Sequence, residues 1–302
     1  MPQRRSYEVF DVFTDAALAG NPLAIVYDCD GLDSTAMQAI AREFNLSETV
    51  FVLPPDNPAH RARIRIFTDQ YEMPFAGHPT VGTAIALTAR AGITDGIFVL
   101  EENIGPVRCA VTNANGLPFA EFDLPKLPEQ IPFSIAKEAV ATALNLDPQD
   151  IGFENHTISL WSAGVPYVAV PVSGLSAAAK AKLHNDLWME ISPQKSASAV
   201  SSAYIYTRET VGHANAFHSR MFVPGNPSYE DPATGSAAAA FIGAACHFDQ
   251  PTDGTTTFWI EQGVEMGRPS RLRLEATLTG GKVTHARIGG HAVKVMEGSL
   301  FA

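Results

Sequence analysis

Short runs in which apolar and polar residues alternate dominate the chain, at residues 7–13, 50–53, 63–68, 98–101, 108–112, 203–207, 257–261 and 271–274. Period-two alternation marks a strand with one buried face, so these runs predict β-strands. Further strands are expected near Glu121 and at the C-terminus. Helical spacing is rarer. Met37, Ile40 and Phe44 share one helical face behind Ser34, and Ser134 and Ser176 stand where they could cap two more helices. Two helices rich in small residues are expected, one from Pro79 to about Ala91 with Gly92 as its stop, the other from Pro232 to about His247. Between Glu121 and Ser134, Pro125, Pro128 and Pro132 interrupt a stretch without apolar periodicity, which reads as a linker.

The pattern repeats. HPTVGTA at 78–84 matches DPATGSA at 231–237 with an offset of 153, GNPLAIV at 20–26 matches GVPYVAV at 164–170 with an offset of 144, and FVLEENIGPVRCAV at 98–111 matches FWIEQGVEMGRPSRLRL at 258–274 with an offset of 160. Three matches in one order point to a duplicated α+β unit, since solenoid repeats have periods of roughly 20–50 residues. The halves are expected at 1–125, joined by a C-terminal strand at about 285–302, and at 126–284. A ligand site is expected in the cleft between them, where two such units converge.

Composition narrows the picture. With 302 residues, 46% hydrophobic and 18% charged, the chain can bury a large core, which excludes disorder as its main state. A net charge of −11 leaves no basic surface for nucleic acid. The longest apolar run, 237–246, is far shorter than the roughly 20 residues that cross a bilayer. Glu8, Asp11 and Asp15 interrupt any signal sequence behind Arg4 and Arg5. A cytoplasmic protein without membrane or nucleic-acid partners is therefore expected. Cys29, Cys109 and Cys246 form no CxxC pair and read as packing or surface residues, not as a disulfide framework, a zinc site or paired acid–base thiols. His213 and His218, five apart in an expected strand, would point to opposite faces. No HExxH, full GxGxxG or Walker loop occurs, so neither metal nor cofactor is expected.

The candidate chemistry sits on the repeats. Each brings a glycine-containing loop to a helix start, Gly77 with His78 and Gly235 with Ser236, where free N–H groups and the helix dipole favour an anion such as a substrate carboxylate. Asp231 before Pro232 also fits an ordinary helix cap, and an isolated His before Pro is commonly a turn residue. Glu48, in NLSETVFVL, breaks the symmetry, because the repeat register sets it opposite Ser201 or Ser202. Alternation places it on one face with Val50 and Val52, toward an apolar layer. Burial there raises a carboxyl pKa and lets the group take and return a proton near neutral pH.

GNPLAIV, NLSETVF, RIRIFT, MPFAGHPTVGTA and EDPATGSA together resemble the phenazine-biosynthesis PhzF-like family over nearly the whole chain. The resemblance implies the α+β fold of diaminopimelate epimerase, two pseudo-symmetric halves that each wrap a mostly antiparallel sheet around a central helix. It implies Glu48 as the proton shuttle, assisted by His78 and Asp231, with Ser47, Gly77, Gly235 and Ser236 holding the substrate. It further implies a homodimer and the cofactor-independent isomerisation of a small amino or hydroxy carboxylate, similar to trans-2,3-dihydro-3-hydroxyanthranilate. Two alternatives stay open: an amino-acid epimerase or racemase, and a non-enzymatic carboxylate-binding protein.

Overall fold

In the computed structural model, which describes residues 3–114, 116–196 and 199–302, the chain builds one arrangement twice. It does so in a first unit, Met1–Pro125 with Ile288–Ala302, and in a second, Lys126–Arg287. The first begins with β1 (Arg4–Val12), β2 (Asn21–Val26), α1 (Ser34–Phe44), β3 (Glu48–Leu53) and β4 (Ala62–Phe67). It continues with β5 (Glu72–Met73), α2 (Gly77–Arg90), β6 (Gly96–Glu102), β7 (Gly105–Ala114) and β8 (Leu117–Asp123). The second holds β9 (Glu129–Ile131), α3 (Lys137–Ala143), β10 (Ser159–Ser162), β11 (Pro166–Pro171), α4 (Leu175–Lys180) and α5 (Asn185–Ile191). After these come β12 (Gln194–Ser196), β13 (Ala199–Val200), β14 (Ser202–Thr207), β15 (Phe217–Val223), β16 (Tyr229–Asp231), α6 (Gly235–Asp249), β17 (Gly254–Gln262) and β18 (Ser270–Thr279). The last strand, β19 (Lys282–Phe301), starts in the second unit and ends in the first.

In the first unit β1–β2 and β3–β4 pair antiparallel, β2–β3 and β4–β6 parallel, and β6, β7 and β8 form antiparallel hairpins. β19 pairs with both β1 and β8, closing these strands into a barrel. Its axis is filled by α2, whose residues Gly77 to Thr88 are all buried. Gly82 lets the helix approach the wall: a Cβ there would lie 2.7 Å from Leu23 Cδ2 and 2.8 Å from Val12 Cγ2. α1 covers the outside of the sheet, packing Met37 and Ile40 against Val26, Phe51 and Phe67. Each such fully buried side chain contributes about 1.5–3 kcal/mol relative to exposure.

The second unit follows the same order. β9–β10–β11 and β14–β15 pair antiparallel, β11–β14 and β15–β17 parallel, and β17–β18 antiparallel. α6 is the central helix, and its Gly243 meets the Trp161 ring so closely that a Cβ would fall within 2.6 Å of two ring atoms. Val140, Trp188 and Phe222 belong to the apolar layer that α3 to α5 place on the outer face.

All eight alternating runs are strands. Several helix starts differ from the sequence reading. α2 begins at Gly77, with Pro79 in its first turn, and α6 begins at Gly235, beyond Pro232. α1 is capped by Asp33, whose carboxylate accepts from Ala36 N, and Ser34 is its first residue. α3 starts behind Ala136, not Ser134, and α4 contains Ser176 behind Gly174. The expected linker carries β9, and His213 lies in a turn ahead of β15. Strand partners also correct the repeat. Ile66 pairs with Met73, and Met221 pairs with Asp231, so Asp231 corresponds to Met73 and Ser236 to His78. The match of 78–84 to 231–237 is slipped by five residues along helices whose small side chains look alike. The parallel pairs Leu23–Glu48 and Tyr167–Ser202 identify Ser202 as the counterpart of Glu48.

Candidate active site

In the first unit, β3 begins at Glu48 and packs beside the central helix α2. Thr49 and Phe51 on β3 are buried, and Phe51 joins the layer under α1, so Glu48 and Val50 take the opposite face toward α2. Nε2 of His78 lies 3.2 Å from Oε2 of Glu48. The contact does not have hydrogen-bond geometry, and His78 Nε2, which is buried, makes no hydrogen bond among the described residues. Burial holds the His78 pKa down at about 3, so the imidazole is neutral at physiological pH. Ser47 precedes Glu48 and is half-buried. Ala76, ahead of α2, has no side chain able to cap, which leaves the first N–H groups of the helix to attract an anion. The Tyr71 phenol is more than half exposed. Its pKa is raised by partial burial and then by the charges of Glu48 and Asp69.

In the second unit the corresponding loop is built differently. Asp231 ends β16 and is 8% exposed. It does not cap α6; instead Thr234 donates its hydroxyl to Asp231 Oδ2. Gln262, without exposed surface, braces this turn: its Nε2 donates to Asp231 O at 2.8 Å and to Thr234 Oγ1 at 3.2 Å, and its Oε1 accepts from Thr234 N at 3.3 Å. Gly263 follows at φ +75°, and a Cβ there would strike Pro232 O at 2.6 Å. No side chain caps α6 either, and Ser236 in its first turn shares a 2.6 Å hydrogen bond with the Tyr167 hydroxyl.

One carboxylate in each unit gathers a loop. Glu101 accepts from Asp56 N at 2.7 Å, Asn57 N at 2.8 Å and His60 Nδ1 at 2.8 Å. Its counterpart Glu261 accepts from Val211 N at 2.6 Å and Gly212 N at 2.9 Å and contacts His218 Nδ1 at 2.8 Å. The other nitrogen of His218 lies 2.9 Å from Glu265. Burial pushes the His218 pKa down, but the hydrogen bonds to Glu261 and Glu265 outweigh it and hold the value up at about 9.

Glu154, His156 and Asp249 bring ligand-type atoms within 4.8 Å of one another. Arg208 already stands among them, 2.5 Å from Asp249, 3.2 Å from His156 and 3.3 Å from Glu154, so a guanidinium supplies the positive charge. Cys29, Cys109 and Cys246 are all buried, and burial pushes each thiol pKa up, Cys29 to about 12 and Cys246 to about 11. They are poor nucleophiles and poor proton carriers.

Among the residues proposed from sequence, the structure thus brings Glu48 to His78 in one unit and sets Asp231, Gly235 and Ser236 around one turn in the other. Thr234, Gln262 and Tyr167 were missed. All three lie in repeat matches, Thr234 in DPATGSA, Tyr167 in GVPYVAV and Gln262 in the match of 98–111 to 258–274, which pairs it with Glu102.

A family model described as phenazine biosynthesis-like protein matches residues 10–298. An uncharacterized isomerase of Mesorhizobium japonicum is 66% identical over 300 residues, 99% of each chain. The trans-2,3-dihydro-3-hydroxyanthranilate isomerase of Pseudomonas aeruginosa is 36% identical over 98% of this chain and 99% of its own. Among solved structures, a PhzF-family phenazine biosynthesis protein of Bacillus anthracis is similar with a TM-score of 0.89 at 27% identity, covering 99% of this chain and 100% of that one. A probable proline racemase of Agrobacterium radiobacter, at 13% identity and a TM-score of 0.67 over 98% and 92% of the two chains, shares the fold alone. No helix among the described residues is long and apolar enough to cross a membrane.

Proposed function

The chain belongs to the phenazine biosynthesis-like family and is an isomerase, and on that premise we propose that it moves a proton between two carbons of a small amino or hydroxy carboxylate, with Glu48 as the carrier. A C–H bond breaks at one carbon and its proton passes to Glu48. The electron pair shifts along the unsaturated substrate, and Glu48 returns the proton to a second carbon, leaving the enzyme as it began. The observation that carries this reading is the buried contact of 3.2 Å between Glu48 and a neutral His78 at the uncapped start of α2. A neutral imidazole beside the carboxylate adds no positive charge that would lower its basicity. Ser47 and the N–H groups at Gly77 and Gly235 are assigned to the substrate carboxylate and its neighbours, with the Ser236 hydroxyl. Asp231, fixed by Thr234 and Gln262, assists at a polar group of the substrate.

The family relationship to named isomerases sets aside the non-enzymatic alternative. Incubation with trans-2,3-dihydro-3-hydroxyanthranilate in heavy water tests the rest: deuterium should enter the product at the newly protonated carbon. Glu48→Gln should lower the exchange by about 10²–10⁴-fold, the usual contribution of a positioned acid–base group. An active Glu48→Gln variant refutes the assignment. Deuterium found at Cα with inverted configuration would instead identify an epimerase.

A further inference from the structure

We propose that Glu102 is a positioning residue for this site, a neutral carboxylic acid that acts through Thr80 to fix the turn on which Gly77 and His78 stand. The inference rests on the reading of Glu48 and His78 just given. Glu102 ends β6 and is 6% exposed; Thr80, in the first turn of α2, is fully buried. Thr80 Oγ1 lies 2.8 Å from Ala76 O and also 2.8 Å from Glu102 Oε1. A hydroxyl has one hydrogen, and the Ala76 carbonyl can only accept. If Thr80 donates to Ala76, the second contact needs a hydrogen from Glu102. Glu102 Oε2 is buried and makes no hydrogen bond among the described residues, which is tolerable for the carbonyl oxygen of an acid and costly for a carboxylate.

The repeat supplies an independent argument. Strand pairing equates Glu101 with Glu261, because Arg63 faces Glu101 and His218 faces Glu261 across equivalent parallel pairs. Glu102 therefore corresponds to Gln262. Gln262 is neutral at every pH, and its amide donates to the equivalent turn, at Asp231 O and Thr234 Oγ1. One place in the fold thus carries an amide in one unit and an acid of the same shape in the other, each bracing the entry to a central helix.

The surroundings favour the acid form. Burial pushes the Glu102 pKa up to about 8, and the Thr80 hydroxyl opposes it only in part. Near its start α2 offers one titratable group, the neutral His78. On β7 the Cys109 thiol feels the charge of Glu102, with those of Asp123 and Arg108, and is itself protonated. Arg63 on the adjoining β4 is paired with Asp56 at 3.6 Å. Once Glu102 ionises, the single hydrogen of Thr80 is drawn to the carboxylate and Ala76 O loses it, so the turn under His78 loosens above about pH 8.

Glu102→Gln separates this role from plain packing. Rates with trans-2,3-dihydro-3-hydroxyanthranilate, measured from pH 6 to 10, should show wild type losing kcat through about pH 8 with little change in KM. Glu102→Gln should keep kcat within a few-fold at pH 7 and lose that alkaline limb, whereas Glu102→Ala and Thr80→Val should lower kcat by about tenfold or more. Infrared difference spectra of wild type against Glu102→Gln at pH 7, read without substrate, should show the carbonyl stretch of a protonated carboxylic acid. An ionised Glu102 in those spectra, an alkaline limb unchanged in Glu102→Gln, or a Gln variant as damaged as the Ala variant would each overturn the proposal. Failure of Glu48→Gln to lose exchange would remove the acid–base reading while leaving the infrared result to stand.

Discussion

Replacing His218 by Gln should remove a cation that two carboxylates hold in the second unit. The imidazole sits 2.8 Å from Glu261 and 2.9 Å from Glu265 with 1% of its side chain exposed. Its pKa rises from 6.5 to about 9, and at 1.36 kcal/mol per unit this linkage amounts to about 3 kcal/mol. The sign follows from the folded value lying above the unfolded one: the stabilisation is complete below about pH 6.5 and disappears as pH rises through 9. Glu261, held down at about 2, contributes the opposite limb, which is lost as pH falls from about 4.5 toward 2. The cluster is therefore strongest between these windows. Urea unfolding of wild type and His218→Gln at pH 6, 7.5 and 9.5 measures the difference. A gap of about 3 kcal/mol at pH 6 should narrow steadily and be small at pH 9.5. A gap that stays constant across the series, or is already absent at pH 6, would refute the charged-imidazole account.

Two further substitutions probe the frame of the site. Gly82→Ala should destabilise the first unit by about 1–3 kcal/mol, because its Cβ would overlap Leu23 and Val12 on the barrel wall; thermal unfolding reads this. Gln262→Leu should cost about 1–3 kcal/mol by leaving Asp231 O and Thr234 N without their buried partner, and it should lower kcat more than it raises KM if the Asp231 turn is used in the reaction.

Much of the architecture could be read from alternation, since β18 buries every second residue and β7 does so at Val107, Cys109 and Val111. The strand expected across 213–218 begins only at Phe217, and alternation does not mark β15 because His218, Ser219 and Arg220 are buried polar residues in its middle, satisfied by Glu261, Glu230 and backbone carbonyls. The starts of α2 and α6 were misplaced for a related reason. Ala76 and Thr234 provide no side-chain cap, so the prolines nearby were the visible signal and the glycines were the real boundary. Glu48 and His78 were legible as motif residues, but their contact across 30 positions is a product of the barrel. The match of 98–111 to 258–274 pairs Glu102 with Gln262, but their contacts with Thr80 and with the Asp231 turn appear only in the folded chain.

β19 has a consequence for how the protein is made. Arg4 pairs with Phe301 and Val12 with Ala292, so β1, made before the second unit, has as its neighbour a strand end made after it. Until residues 288–301 have left the ribosome, β1 and β8 present unpaired edges, and the barrel around α2 cannot close. At about 5–20 residues per second, the amino-terminal segment waits through the whole synthesis of the second unit with its strand edges open to wrong partners. The unit that carries Glu48 is thus begun before the second unit and completed after it.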